Sequence, residues 1–160
     1  MSPSLREFGD THALKCELAS EVLRSSGKLR LQVTGWSMLP SVWPGDTLVV
    51  ERVTNESVSA GDIVLFGRDR RLFAHRVVTR ARHELDSAIV TRGDAMPAAD
   101  PPIEKNELLG RVSHILREGR FIKPSRSLRL SERAVAALAR RSEIATRVIV
   151  GVHGMRRALK

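Results

Sequence analysis

The sequence contains one cysteine, no tyrosine and only 4% aromatic residues. A single cysteine excludes an intramolecular disulfide, and this scarcity favours a reducing compartment. Because Cys16 lies in an amphipathic run, we predict that it packs as a small hydrophobic residue. With so few aromatic side chains, the core is predicted to be aliphatic.

Long hydrophobic segments are also missing. No stretch reaches the length of about 18 consecutive apolar residues that indicates a membrane span, so no transmembrane anchor is predicted. The first residues, MSPSLREFGDTH, lack the apolar run of a secretory signal. Together these absences predict a cytoplasmic protein.

Acidic residues are outnumbered, with 18 against 27 basic residues and a net charge of +9. The largest share of the basic residues lies in residues 117–160. A basic tail can meet nucleic acid, anionic lipid or water, and charge alone does not choose among them. We predict that the tail packs on the rest of the protein with a solvated arginine face, with peripheral membrane or partner contact as the alternative.

The remaining composition is that of a globular protein. Apolar residues make up 42% of the chain and charged residues 28%, so neither disorder nor a fibrous repeat is indicated. A length of 160 residues fits a single domain with a short appended element.

The pattern of apolar residues changes twice along the chain. A helix is predicted from a cap at Thr11 to Gly27, with apolar residues at helical spacing: Leu14, Leu18, Val22 and Leu23. From Leu29 the period becomes two, and short β-branched runs follow, namely LRLQV, TLVVERV, DIVLFG, LFAHRVV and AIVTRG. A long strand, ELLGRVSHILREG, then turns at Glu118-Gly119 into RFIK.

Helical composition returns after Pro124, where Ser131 is a plausible cap, and Gly151 and Gly154 predict a second, weaker helix. We therefore predict a mainly β protein with an N-terminal helix over residues 1–28, a β domain over 29–124 and a basic helical tail over 125–160. The single N-terminal helix is too short to be a DNA-reading domain, so nucleic acid is not an expected partner.

Three Gly-Asp pairs, Gly45-Asp46, Gly61-Asp62 and Gly93-Asp94, occur near the boundaries of the strand-like runs. Both residue types favour turns, which is sufficient to explain the first two pairs.

A serine lies in a predicted bend between two of the hydrophobic runs, in VTGWSMLP. Gly35 permits backbone conformations that other residues resist, and Pro40 fixes φ, so Ser37 is expected at a turn. A serine hydroxyl is a poor nucleophile without a base in hydrogen-bond reach. The run LFAHRVV supplies His75 as a candidate base.

Four residues together have the chemistry of acyl transfer: Ser37, His75, Asp94 and Asp100. Ser37 would attack a peptide carbonyl, His75 would take and return its proton, and a carboxylate would orient the imidazole. Backbone N–H groups at the turn are candidates for an oxyanion hole. As composition alone this set is not specific, because such trios also arise by chance.

The order of several short boxes resembles a known superfamily. GWSMLP resembles the serine box of type I signal peptidases and of the self-cleaving SOS-response repressors, and WPGDTLVVERV resembles the strand that follows it. GDIVLF and FAHRVV resemble the next two boxes, with His75 where many members carry a lysine base. RGDAMPAADPP resembles the acidic box of the branch that uses Ser-His, and ELLGRV its closing strand.

This resemblance, over about Leu29 to Val112, implies roles for individual residues. It implies that Ser37 is the nucleophile, His75 the base, Asp100 the orienting carboxylate and Asp94 the second carboxylate. It also implies a coiled, mostly antiparallel β-barrel in which the serine begins a short helical turn. We expect three residues around the serine to contact the substrate: Trp36, Met38 and Pro40.

No cofactor is implied, and the sequence does not predict a metal site. The remaining histidines are scattered, with no i, i+4 pair among them: His12, His83, His114 and His153.

These features favour a serine endopeptidase resembling type I signal peptidase, which would cleave a leader or signal-like segment from a protein or peptide. One alternative is a self-cleaving regulator of the SOS-repressor type, which needs a DNA-reading domain and an Ala-Gly or Cys-Gly scissile bond. Residues 1–30 contain neither, and the Ala60-Gly61 bond follows the serine. The other alternative is a catalytically inactive binding module on the same barrel.

Overall fold

The computed structural model describes residues 5–82, 87–141 and 151. In the described residues a long helix comes first, seven strands follow, and a second helix comes last. In chain order the elements are α1 Leu5–Ser26, β1 Lys28–Gln32, β2 Thr47–Glu51, a 3-10 turn Asn55–Ser57, β3 Ile63–Arg68, β4 Arg71–Arg82, β5 Ser87–Arg92, β6 Leu108–Arg117, β7 Arg120–Ile122 and α2 Leu130–Arg141.

All the strands belong to one antiparallel sheet with the order β1-β2-β6-β3-β4-β5, and β7 pairs with the end of β6. The mainly β prediction and its strand runs are therefore confirmed. Across the described residues the outer strands β1 and β5 do not pair with each other, so the predicted barrel is not closed.

The central strand β3 buries both of its faces. Ile63 and Leu65 belong to one hydrophobic cluster, and Val64 and Phe66 belong to another on the opposite face. A strand covered on both sides is expected to be continuously apolar, which is why the run DIVLFG does not alternate. The first cluster lacks aromatic side chains, as the composition predicts, whereas the second is built around the buried Phe66 with Phe73 packed against it.

The N-terminal helix covers the first of these clusters with an unexpected face. Leu23 and Ala19 are buried, whereas Leu14 and Leu18 are each 55% exposed. Cys16 is half-buried and lies 4.0 Å from the position that a Cβ of Gly67 would occupy. Small residues at 16 and 19 allow the helix to approach the sheet, so the larger leucines face outward.

The ends of the helices differ from the prediction at their first residues. The N-terminal helix begins at Leu5 and not at Thr11, but it ends at Gly27 as predicted, where φ is +71°. α2 begins at Leu130, and the Glu132 carboxylate accepts the N–H of Arg129, so Ser131 is not its cap. The second, weaker helix of the tail lies outside the described residues, as do His83 and His153.

The described part of the tail packs on the domain. Ala136 and Ala139 of α2 are buried, and Ala139 contacts a small cluster with Leu39 and Ala95. None of the helices in the described ranges combines the length and apolar character required to span a bilayer.

The three Gly-Asp pairs have a common function beyond turn formation, because each aspartate is buried. Each carboxylate forms an ion pair with arginine from a distant part of the chain: Asp46 with Arg117, Asp62 with Arg111 and Arg126, and Asp94 with Arg76. A buried carboxylate requires such a partner because desolvation of an unpaired charge is costly.

A further arginine clamps the loop between β5 and β6. Arg68 donates to both carboxylate oxygens of Glu107, at 2.7 and 2.5 Å, and to the carbonyls of Pro101 and Pro102. The hydrogen bonds from Arg68 lower the pKa of Glu107. This clamp immediately follows Asp100 and restrains the segment that carries it.

We expect the Arg68–Glu107 pair to stabilise the protein at neutral pH and to lose that effect in acid. Because the pKa of Glu107 is lower in the folded chain, its contribution is complete above its unfolded pKa of about 4.3 and is lost as the pH falls through the folded value. Glu107→Gln should therefore lower the thermal denaturation temperature more at pH 7 than at pH 3. An equal loss at both values would contradict this assignment.

Candidate active site

Ser37 lies at the start of a tight turn that follows an extended segment. Val33 is tied to the β2 end of the sheet by hydrogen bonds with Gly45 and Asp46, and after the serine the N–H of Val42 donates to the carbonyl of Met38 at 3.0 Å. This i to i+4 bond forms one helical turn, as the resemblance implies. Ser37 lies at a turn as predicted, but Gly35 has no positive φ and open space around it, so the conformational freedom of glycine is not needed there.

The structure brings three of the four predicted site residues into one line of hydrogen bonds. Ser37 Oγ lies 3.0 Å from His75 Nε2, and His75 Nδ1 lies 2.7 Å from Asp100 Oδ2. A carboxylate beside Nδ1 favours the tautomer that carries its proton there, which leaves Nε2 as an acceptor for the serine O–H. Thr91 also donates its hydroxyl to Asp100 Oδ2, at 2.7 Å.

The imidazole is held by packing as well as by hydrogen bonds. His75 lies in β4, where it pairs with Val64 of β3, and its ring is buried. The rings of Phe66 and Phe73 lie 6.0 and 5.9 Å from it, centroid to centroid. Because two aromatic rings and a carboxylate restrict its rotation, the imidazole keeps Nε2 directed at Ser37.

Asp94 has a different environment from Asp100. Its two carboxylate oxygens accept from Arg76 Nε and Nη2, each at 2.8 Å, and Ser41 donates its hydroxyl to Oδ2. Asp94 is thus engaged with Arg76 and Ser41, and among the hydrogen bonds of the described residues none joins it to His75.

Arg76 makes hydrogen bonds with all five of its guanidinium N–H groups. Besides the two bonds to Asp94, its Nη1 donates to the carbonyls of Gly61 and Ser125, and its Nη2 donates to Ser41 Oγ. Arg76 therefore has a structural role, as the ion-pair partner of an aspartate in the acidic box.

The turn that carries Asp94 packs directly against the nucleophile turn. The N–H of Ala95 donates to the Ser37 carbonyl at 2.9 Å. A Cβ on Gly93 would lie 2.6 Å from that carbonyl oxygen and 3.2 Å from His75 Nε2. Gly93 is therefore required because the two segments approach too closely for any side chain.

A groove of about 600 Å³ begins at Ser37 and His75. It is lined by two runs of consecutive residues, 31–35 and 71–75. Consecutive residues line a groove when strands present their edges, since the faces of a strand would contribute only alternate residues. Met38 also lines the groove, whereas Trp36 and Pro40 do not.

Sequence analysis missed Thr91 and Ser41, which bind Asp100 and Asp94 respectively. Neither residue belongs to a box with a recognisable spacing. Both contacts depend on how distant segments are aligned, so no sequence signal could have identified them.

The arrangement can make a serine hydroxyl nucleophilic. His75 Nε2 can accept the proton of Ser37 while Asp100 stabilises the imidazolium that forms, and the groove leaves room for a carbonyl at the hydroxyl. These are the elements of serine peptidase chemistry.

Comparison with known proteins agrees with this geometry. The Peptidase S24-like family model matches residues 6–112, a range that includes Ser37, His75 and Asp100 and ends before α2. No curated protein matches the chain significantly. The family match supports a function of the serine peptidase or self-cleaving repressor kind. By its sequence, the chain therefore belongs to the Peptidase S24-like family.

Proposed function

We propose that this protein is a serine endopeptidase that resembles type I signal peptidase and removes a leader or signal-like segment from another protein or peptide. The observation that carries the proposal is the line of hydrogen bonds from Ser37 through His75 to Asp100 at the end of an open groove.

In the first step Ser37 Oγ attacks the scissile carbonyl, and its proton moves to His75 Nε2. Asp100 keeps the proton on Nδ1 and stabilises the positive ring. Backbone N–H groups of the turn at Ser37 and Met38 are the candidates to stabilise the developing oxyanion. When the C–N bond breaks, His75 returns the proton to the leaving amine.

The second step removes the acyl group from Ser37. A water molecule gives its proton to His75 Nε2 and attacks the ester carbonyl, and the returning proton restores the serine hydroxyl. The same three residues therefore serve both half-reactions, and no cofactor is needed.

The groove suits an extended peptide. Among residues 5–82 and 87–141, β1 pairs only with β2 and residues 71–75 of β4 pair only with β3, so each of these strands presents an open edge to the groove. Unpaired N–H and C=O groups on both edges can bind the backbone of an added strand. A substrate bound in this way would be recognised mainly through its main chain.

Self-cleavage at the Ala60-Gly61 bond is less compatible with the structure. The N–H of Gly61 donates to the Val77 carbonyl, and its own carbonyl accepts from Arg76. Gly61 does not line the groove that contains Ser37. Reaction at this bond would require the Arg76 network to break, so we favour cleavage of another polypeptide.

We expect a small fluorophosphonate to label Ser37 in the full-length protein. Ser37→Ala should abolish labelling, and His75→Ala should slow it by about a thousand-fold because the hydroxyl loses its base. Intact mass and peptide mapping after timed incubation measure both effects. The matched control is His114→Ala, since His114 is an exposed histidine that is bonded to Ser113.

Labelling at full rate in His75→Ala would refute the assigned mechanism. Complete inertness of Ser37 in the wild-type protein would favour the inactive binding module.

The two aspartates should be separable by their effects. Asp100→Asn should slow labelling by about a thousand-fold or more, because the amide favours the wrong tautomer of His75, while stability changes little. Asp94→Asn should cost about 3 kcal/mol of unfolding free energy because it leaves Arg76 buried without its counter-charge. Chemical denaturation and labelling rates measure the two properties, and the reverse pattern would exchange the proposed roles.

Gly93→Ala should impair the site by steric contact alone. The added methyl group meets the Ser37 carbonyl and His75 Nε2, so we expect labelling of Ser37 to slow by at least about ten-fold as these groups are displaced. Gly67→Ala is the matched control, because a Cβ there meets its neighbours only at 3.8 and 4.0 Å. Equal labelling rates in the two variants would show that Gly93 is not limiting.

A further inference from the structure

One part of the groove is lined by basic side chains. His12 and Lys15 of α1 and Arg71 of β4 line the groove, and all three are exposed. No carboxylate lines it in the part of the chain that the structure describes. Glu17 and Asp69, which lie two residues from Lys15 and Arg71 respectively, are not among its lining residues.

The sheet sets the distance between this basic part and the reacting atoms. Arg71 precedes His75 by four residues on one extended strand, which corresponds to about 13 Å. α1 reaches the same end of β4, because Cys16 lies beside Gly67 and Gly67 pairs with Leu72. Lys15 adjoins Cys16 in α1 and His12 lies one helical turn before Cys16, and both line the groove together with Arg71.

A peptide bound along the two open strand edges would pass between these charges. An extended chain also advances by about 3.3 Å per residue, so its fourth residue from the scissile bond would reach Arg71 and Lys15. The acyl half of the substrate must stay bound until water attacks, whereas the leaving half departs once His75 protonates it. The groove is therefore assigned to the acyl half.

We propose that His12, Lys15 and Arg71 form a subsite for an acidic side chain, three or four residues before the scissile bond of the substrate. This inference rests on the proposed function for the identity of its occupant, a peptide substrate. It adds a charge requirement to a groove that otherwise recognises main chain. It also gives α1 a role in choosing substrates.

Binding can be measured without turnover in the Ser37→Ala protein. Three dye-labelled decapeptides would each have alanine immediately before the intended scissile bond. They would differ at the fourth residue before that bond, which would be Glu, Gln or Lys. We expect fluorescence anisotropy to give about ten-fold tighter binding for Glu than for Lys at about 0.01 M salt. At about 1 M salt, where the Debye length is about 3 Å, the difference should largely disappear.

Charge reversal provides the decisive comparison. Adding Lys15→Glu and Arg71→Glu to the Ser37→Ala protein should invert the preference, so that the Lys peptide binds more tightly. The matched control changes the net charge elsewhere, with Arg133→Glu and Arg120→Glu on exposed parts of α2 and β7, and should keep the preference for Glu.

The outcomes separate the two proposals. The acidic subsite would be overturned if the three peptides bound equally, or if the control variant inverted the preference as well. Either result would count even if the fluorophosphonate labels Ser37 in the wild-type protein. A preference for Glu that inverts only with Lys15 and Arg71, in a protein whose Ser37 is inert, would support the subsite and overturn the peptidase.

Discussion

The rest of the site depends on the hydrogen bonds that the buried guanidinium of Arg76 donates. It joins the nucleophile turn through Ser41, the acidic turn through Asp94, the loop before β3 through Gly61 and the tail through Ser125. Since Arg76 directly follows His75 on β4, this network also fixes the strand that carries the imidazole. Burial of the Arg76 charge is tolerated because each of its N–H groups has an acceptor inside the protein. The segments that supply these acceptors must therefore keep their positions.

Close approach of two turns is the second constraint. The turn of Gly93 and Ala95 rests on the Ser37 carbonyl, while Leu39 and Ala95 pack against Ala139 of α2. The C-terminal helix is thus part of the support of the nucleophile turn, although the family match ends at residue 112. At the same contact Arg140 donates a hydrogen bond to the Asp94 carbonyl. Burial is the larger cause that lowers the pKa of Arg140, and the nearby positive charge of Arg92 is the second.

The division of work between the two aspartates follows from their surroundings. Asp100 accepts hydrogen bonds from His75 Nδ1 and from the Thr91 hydroxyl. Its negative charge can therefore stabilise the imidazolium that forms when His75 takes the serine proton. Asp94 instead accepts a bidentate arginine, and neither of its oxygens is hydrogen-bonded to the imidazole of His75. The two carboxylates, six residues apart, therefore have different roles, because Asp100 lies beside His75 and Asp94 lies beside Arg76.

Local pattern was sufficient for the strands, the end of the N-terminal helix at Gly27 and the serine turn, because period and turn residues are properties of neighbouring positions. The set of Ser37, His75 and Asp100 came from the resemblance of the ordered boxes to a known superfamily, since residue types alone offered other combinations. Pattern could not predict that Leu14 and Leu18 face outward, since the packed face of a helix depends on how closely its small residues approach the sheet. It also could not predict the partners of the buried aspartates, the contact of Gly93 or the basic part of the groove. Each of these arises where residues far apart in the chain meet, and folding alone brings them together.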